Sequence, residues 1–267
     1  MIMKLKAISL LFLSIFLIAS CAEKNDEKPT SKKEVTQKGT PDDGRGAQYE
    51  KYMSEIDESD SLDVANSLYY TKNNGESYQV YLRLNKEAEI VRIEEKYTTS
   101  ESGSLLTNFF YFKDGVKYAT KERFIEGKGN ESKFAERVTY YDENGPKISK
   151  IRRAPFEEYL QNESFSIIPA KDCSDARAQR ALRGEGEFAT NFVSTVQEEP
   201  IYYIIVGEGS ENGYVSALVV QHFTPLIKTL LANPKSMEGK PMEVSFQEVN
   251  DGTGFTFQAL LDLKIAK

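Results

Sequence analysis

Tryptophan is absent from the 267 residues, histidine occurs once, at His222, and cysteine twice, at Cys21 and Cys173. A single histidine leaves any Ser-His or Cys-His nucleophile system one base to work with, and no G-x-S-x-G turn is present to supply its serine. His222 therefore reads as a structural residue, and with Cys173 it falls short of the three or four ligands of a zinc site. Concentrated positive charge is also missing. The 34 lysines and arginines are outnumbered by 41 aspartates and glutamates, for a net charge of -7, which argues against nucleic acid as a partner. The "GEGSENG" segment from Gly207 to Gly213 has three glycines but two acids and no lysine, so it reads as a turn and not as a phosphate cradle. The "DENG" and "NDG" turns lack the further acids of a calcium loop, and no cofactor motif is found. Long apolar runs are missing too. Ala7 to Ile18 is the longest, well short of the roughly 20 residues needed to cross a bilayer.

That short apolar run is nonetheless informative in its setting. Lys4 and Lys6 precede it, and Ile18-Ala19-Ser20-Cys21 closes it, a charged, apolar and small-residue order that fits a signal peptide. An ordinary secretory signal or an uncleaved anchor, with Cys21 incidental, is the alternative. The tetrad resembles the lipobox of bacterial lipoproteins. The resemblance implies cleavage between Ser20 and Cys21, a diacylglycerated Cys21 thiol and an acylated new amino terminus. Two or three acyl chains make such an anchor stable. A lipidated Cys21 would leave Cys173 without an intrachain disulfide partner. Residues 22–46 hold six basic and six acidic side chains with Ala22 and Val35 as their apolar residues, a composition expected to stay disordered as a tether. Ala22, where retained inner-membrane lipoproteins carry Asp, favours the outer membrane; the acid-rich "EKNDE" resembles surface-export signals of some Gram-negative groups, and which face is occupied stays open. Asp60-Ser61-Leu62 resembles an O-glycosylation acceptor of envelope proteins, centred on Ser61.

The body is expected to be α+β, mainly antiparallel hairpins with a few short helices. Fifteen tyrosines and fifteen phenylalanines, with Val, Ile and Thr, suit strands. Tyr49, Tyr52, Met53 and Ile56 follow the i, i+3, i+4, i+7 spacing of one helix face. From Ser67 the period becomes two: Tyr78, Val80, Leu82 and Leu84 share one side of a strand, and Gln79, Tyr81 and Arg83 the other. Further strands are expected at 90–97, 105–112, 116–125, 134–141 and 147–152, several of them separated by Asn-Gly and Asp-Gly turns. "FFYFKDGVKYATKERF" and "VTYYDENGPKISKIRR" look like two copies of one hairpin unit, weakly resembling hairpin repeats of secreted bacterial proteins. A helix is expected over 172–183, with Asp172 or Ser174 as its cap. A second begins at Thr224-Pro225 and stops at Asn233-Pro234, inside a C-terminal β-β-α-β-β unit forming an antiparallel sheet. The organisation read is 1–20 signal peptide, 21–46 lipidated tether, 47–153 β-rich part and 154–267 α+β part, the last two able to form one domain.

Sites are sparsely marked. Arg177, Arg180 and Arg183 lie along one helix, and Lys150, Arg152 and Arg153 close together in a strand; the arginines form a candidate anionic-ligand patch against a background of solvated, paired charge. Phe109, Phe110, Tyr111 and Phe112 form a candidate apolar ligand face, provided one side of their strand stays uncovered. Cys173 at a helix start reads as an inert thiol, and no catalytic set emerges. The composite expectation is a lipid-anchored, non-catalytic envelope lipoprotein whose β-rich body binds an envelope protein, lipid or glycan, or acts as a scaffold. An envelope hydrolase using carboxylates and a structural subunit of an outer-membrane assembly are the alternatives.

Overall fold

The computed structural model describes residues 45–100 and 103–266. The lipobox with Ser20 and Cys21, and the tether up to residue 44, lie outside them. Among the described residues no helix is long and apolar enough to cross a membrane.

The fold is α+β, with fourteen mainly antiparallel strands in one sheet. Helix α1 (Arg45–Glu58) comes first. Strands β1 (Asp63–Asn66), β2 (Tyr70–Thr71), β3 (Ser77–Leu84), β4 (Ile90–Thr98), β5 (Leu105–Lys113), β6 (Val116–Glu126), β7 (Lys133–Asp142), β8 (Gly145–Ala154) and β9 (Ser166–Ile168) follow. The remainder is α2 (Ala176–Arg183), β10 (Asn191–Glu198), β11 (Ile201–Gly207), β12 (Val215–Val220), α3 (Pro225–Ala232), β13 (Met242–Asn250) and β14 (Thr256–Ile265).

From β3 to β9 each strand pairs with its sequence neighbour; two-residue turns reverse the chain at β5–β6 and β7–β8, and longer loops do so elsewhere. The β5–β6 turn places Asp114 at φ 52° and Gly115 at φ 74°, the left-handed pair that matches strand twist. The β5–β6 and β7–β8 hairpins both carry a register shift before the turn, at Tyr111/Phe112 and Tyr140/Tyr141.

Helix α2 and the C-terminal strands depart from the sequence pattern, and the segment between α2 and β11, which that pattern leaves open between helix and strand, takes one form. Helix α2 begins at Ala176, later than 172, because Tyr141 holds the preceding residues: its hydroxyl donates to Asp172 and accepts from the Cys173 N–H at 2.9 Å. "EFATNFVSTV" resolves into a 3-10 turn at Gly186–Phe188 and then β10. The C-terminal strands are not wholly antiparallel, since β12 and β14 run parallel at Val219↔Ala259 and Val220↔Leu260. Helix α3 keeps the bounds its punctuation implies, with Thr224 Oγ1 accepting the Ile227 N–H at 3.3 Å and Pro225 at the first position.

The sheet is covered differently on its two faces. On the front, α1 lays its Tyr49, Tyr52, Met53 and Ile56 stripe onto Tyr111, Tyr118, Val138 and Tyr140. The back face packs on α2 and α3 in a core that joins both parts of the chain. Phe188 sits centrally there, 4.5 Å from the Tyr78 ring, 5.0 Å from Tyr70 and 5.1 Å from Tyr214.

Candidate functional site

The sheet forks at β12. The start of β12 pairs with β2 at Val215↔Thr71, and its end takes β14 instead. Between these two partners the hairpin β13–β14 splays from the main sheet, opening a cleft of about 580 Å³ on the front face. Fully buried Tyr78 and Val80 anchor β3 to the back core, so strand alternation turns Gln79 and Tyr81 into the cleft. Tyr69 and Thr71 flank them, Tyr203, Ala217 and Val219 come from β11 and β12, and Glu248 with residues 255–258 close the hairpin side.

A fork leaves backbone groups without ladder partners, and a buried one must be met by a side chain. Gln258, 5% exposed, does this. Its Oε1 accepts the Tyr69 N–H at 2.9 Å and the Ser216 hydroxyl at 3.2 Å, while Nε2 donates to Ser67 O at 3.4 Å. A second polar link ties the hairpin to β3: Glu248 Oε2 accepts from Gln79 Nε2 at 3.0 Å and from Asn66 Nδ2 at 3.1 Å. Gln79 Oε1 in turn accepts the Tyr81 hydroxyl at 2.7 Å. Burial first, then the charges of Glu248 and Glu94, push the Tyr81 phenol up to about 12, so it stays a donor. Lys96, bound to Glu94 at 2.9 Å, rests 4.7 Å from the centre of the Tyr81 ring.

The rings at the mouth are not core. Phe255 is 63% exposed and Tyr69 45%, and Phe255 stacks on Phe257 with centroids 6.2 Å apart. The lining holds one carboxylate and neither lysine nor arginine. The hydroxyls of Thr71, Tyr203 and Thr256 make no hydrogen bond among the described residues. Such a cleft can stack flat apolar surfaces while its floor exchanges hydrogen bonds. Its size is within the roughly 300–1,000 Å³ of small-ligand sites.

The aromatic strand singled out in the sequence does not form an open face. Phe110 and Tyr111 are fully buried on opposite sides of β5, Phe110 in the back core and Tyr111 under α1. Phe112 packs half-buried on the back core, and Phe109 is half-buried in front between Arg92, Lys121 and Arg123, at 5.3, 5.0 and 5.9 Å. Both sides of the strand have cover, so the open aromatic surface belongs to the fork.

The five arginines do not converge. Arg152 and Arg153 are neighbours in β8 and point to opposite faces, Arg152 to buried Glu136 at 2.6 Å and Arg153 to Glu126. On α2, Arg177 lies 4.4 Å over the Tyr78 ring and donates to the Tyr214 hydroxyl at 2.9 Å. Arg177 and Arg180 share Glu187 at 3.1 and 3.3 Å, and Arg183 meets Glu185 at 2.8 Å. Ser61 is exposed in the bend after α1, and His222 is exposed before α3. Burial first, then Glu122 and Glu95, push the Cys173 thiol up and keep it protonated, which suits an inert residue.

Under α1 the front face is sealed by charge as well as packing. Asp57 stands in the last turn of α1, where an acid opposes the helix dipole and needs outside cations. Arg92 and Lys121 each reach it at 2.6 Å, and the Tyr111 hydroxyl donates to it at 2.9 Å. Burial alone would raise the Asp57 pKa, but these partners outweigh it and hold the carboxyl below the usual range. Glu50 is likewise held down: burial raises it, and Lys150 with the Tyr140 hydroxyl prevails.

Reading the sequence alone misses the cleft residues as a group. Its one usable signal is the Gln79-Tyr81-Arg83 side of β3 opposite the apolar side. Set against family models, curated proteins and solved structures, the chain gives no match.

Proposed function

We propose that the protein is a lipid-anchored lipoprotein of the cell envelope, held in the outer membrane through Cys21, whose β-rich body binds a ligand in the fork cleft without turning it over. The observation that carries the binding role is the cleft itself, with exposed aromatic rings at its mouth and a pinned polar floor. Exposed apolar surface costs free energy unless something covers it, and here it sits in a concavity of ligand size. Its one carboxylate, Glu248, already accepts two amide hydrogen bonds. Two-carboxylate hydrolysis calls for a second acid roughly 5–10 Å away across the scissile bond, whereas hydrogen-bonded acceptors and flat rings suit binding. The Ile18-Ala19-Ser20-Cys21 tetrad supports the anchor.

Two measurements test the proposal. Mass spectrometry of the mature amino terminus should find an acylated Cys21, and Cys21→Ala should move the protein out of the membrane fraction; an unmodified Cys21 in a membrane-bound protein refutes the anchor. Native mass spectrometry of protein recovered from its own envelope should show a retained ligand that a Tyr203→Ala/Phe255→Ala variant loses. Retention unchanged in that variant would place the ligand elsewhere.

A further inference from the structure

We infer that the fork cleft recognises an uncharged sugar: a neutral glycan whose ring faces lie on the aromatic walls while its hydroxyl rim meets the polar floor. This rests on the binding role proposed above and adds the chemical class of the ligand. A pyranose ring presents flat C–H faces bordered by hydroxyls that both donate and accept. The cleft offers the complement of each part. Phe255, Phe257, Tyr69 and Tyr203 supply ring surfaces, two of them at the exposed mouth. Beyond their existing bonds, Glu248 keeps Oε1 as an acceptor and Gln79 keeps its second N–H as a donor, and Thr71 and Thr256 supply unengaged hydroxyls. Glu248 is fixed by Asn66 and Gln79 beforehand, so little side-chain freedom is lost when a ligand arrives.

Other ligand classes fit worse, each for a reason visible in the lining. An anion would meet a carboxylate with no lysine or arginine among the lining residues to neutralise it. An ammonium ligand loses Tyr81, whose ring already carries Lys96 at 4.7 Å, and a quaternary one accepts nothing from the Thr71, Thr256 and Gln79 donors of the lining. An acyl chain would cover Gln79, Glu248 and two threonine hydroxyls without returning hydrogen bonds, at the usual cost of a buried unsatisfied polar group. A neutral polyol satisfies rings and floor together.

The test uses the full acylated protein in detergent micelles, titrated calorimetrically with neutral hexasaccharides of glucose, mannose, galactose and xylose, and with hexagalacturonate and tetramethylammonium. At least one neutral hexasaccharide should bind, and Phe255→Ala or Tyr203→Ala should weaken it about tenfold, the worth of one stacked ring. Glu248→Gln should also weaken it, and circular dichroism should show each variant folded, because Phe255 and Glu248 lie at the surface. Binding of hexagalacturonate or tetramethylammonium instead, lost in the same variants, overturns the neutral-sugar class and leaves the binding role standing. Silence across the panel overturns the sugar class as well. If native mass spectrometry of the same protein then shows no retained ligand, the binding role falls with it.

Discussion

Under α1, the front face of the sheet carries Tyr111 and Tyr140, whose hydroxyls end on Asp57 and Glu50 of the helix, while at the fork Tyr69, Tyr203 and the turn residue Phe255 line an open cleft. Sheet and side-chain type are shared, so the difference is one of closure. At the covered end, rings and cations are consumed internally: Arg92 and Lys121 hold Asp57, and Arg123 and Arg152 hold Glu136. At the forked end, side chains repair the broken ladder and leave the rings unspent. A sheet of this kind separates stability from recognition by position along a single surface.

That separation predicts how substitutions divide. Tyr111→Ala should have the largest effect, a loss of about 4 kcal/mol in denaturant unfolding, since it removes a fully buried ring and a hydrogen bond under α1. Loss of ligand binding at temperatures where this variant is folded would show the two ends to be coupled. Asp57→Asn should come next, at about 2 kcal/mol, by removing the charge that offsets Arg92 and Lys121. It also carries a pH signature. Asp57, Glu50 and Glu136 are all held below the usual carboxylate range in the folded chain, burial opposing and their cations prevailing. The stability they contribute is therefore complete above about pH 5, beyond the unfolded carboxylate range, and is lost as the pH falls through their lowered values. Acid titration of Asp57→Asn should show a shallower fall than the parent; an equal slope would remove Asp57 from the pH dependence. Phe255→Ala should be smallest, within about 0.5 kcal/mol in the same unfolding experiment, because its ring is mostly in water. A cost like that of Tyr111→Ala would mean the mouth is core after all.

How much of this was legible follows the range of each interaction. The stripe of α1 was readable because its four apolar residues are helical neighbours, and α3 because Thr224-Pro225 and Asn233-Pro234 punctuate it locally. The strands from β3 to β8 were readable from their alternation, and the β5–β6 and β7–β8 hairpins also because Asp-Gly and Asn-Gly turns encode their own reversal. The fork was not, since Val215 meets Thr71 and Tyr69 meets Gln258 across most of the chain. Phe109 to Phe112 drew attention as an aromatic run, but whether a strand face is open is decided by what folds over it, and α1 and α2 lie far from β5 in sequence. Gln79 and Tyr81 read as an ordinary solvent side for the same reason. Arg152 and Arg153 looked like one patch only while strand alternation was left out.

The fork has one more consequence, for association. An unbranched open sheet ends in two outermost strands, whose free N–H and C=O groups invite pairing with other chains. Beyond β9 and β10 at the ends of the main path, the described sheet has β13 at the end of the branch and the four-residue β1, which pairs with β3 alone. Each is blunted. β9 is three residues long, β10 is interrupted by a register shift at Phe192/Ser194, and β13 carries Glu243 and Glu248 along its length beside a bulge at Leu261 of β14. A branch that opens a cleft thus creates a new sticky rim, and the chain breaks the regularity of that rim with negative charge and a bulge in the strand beside it.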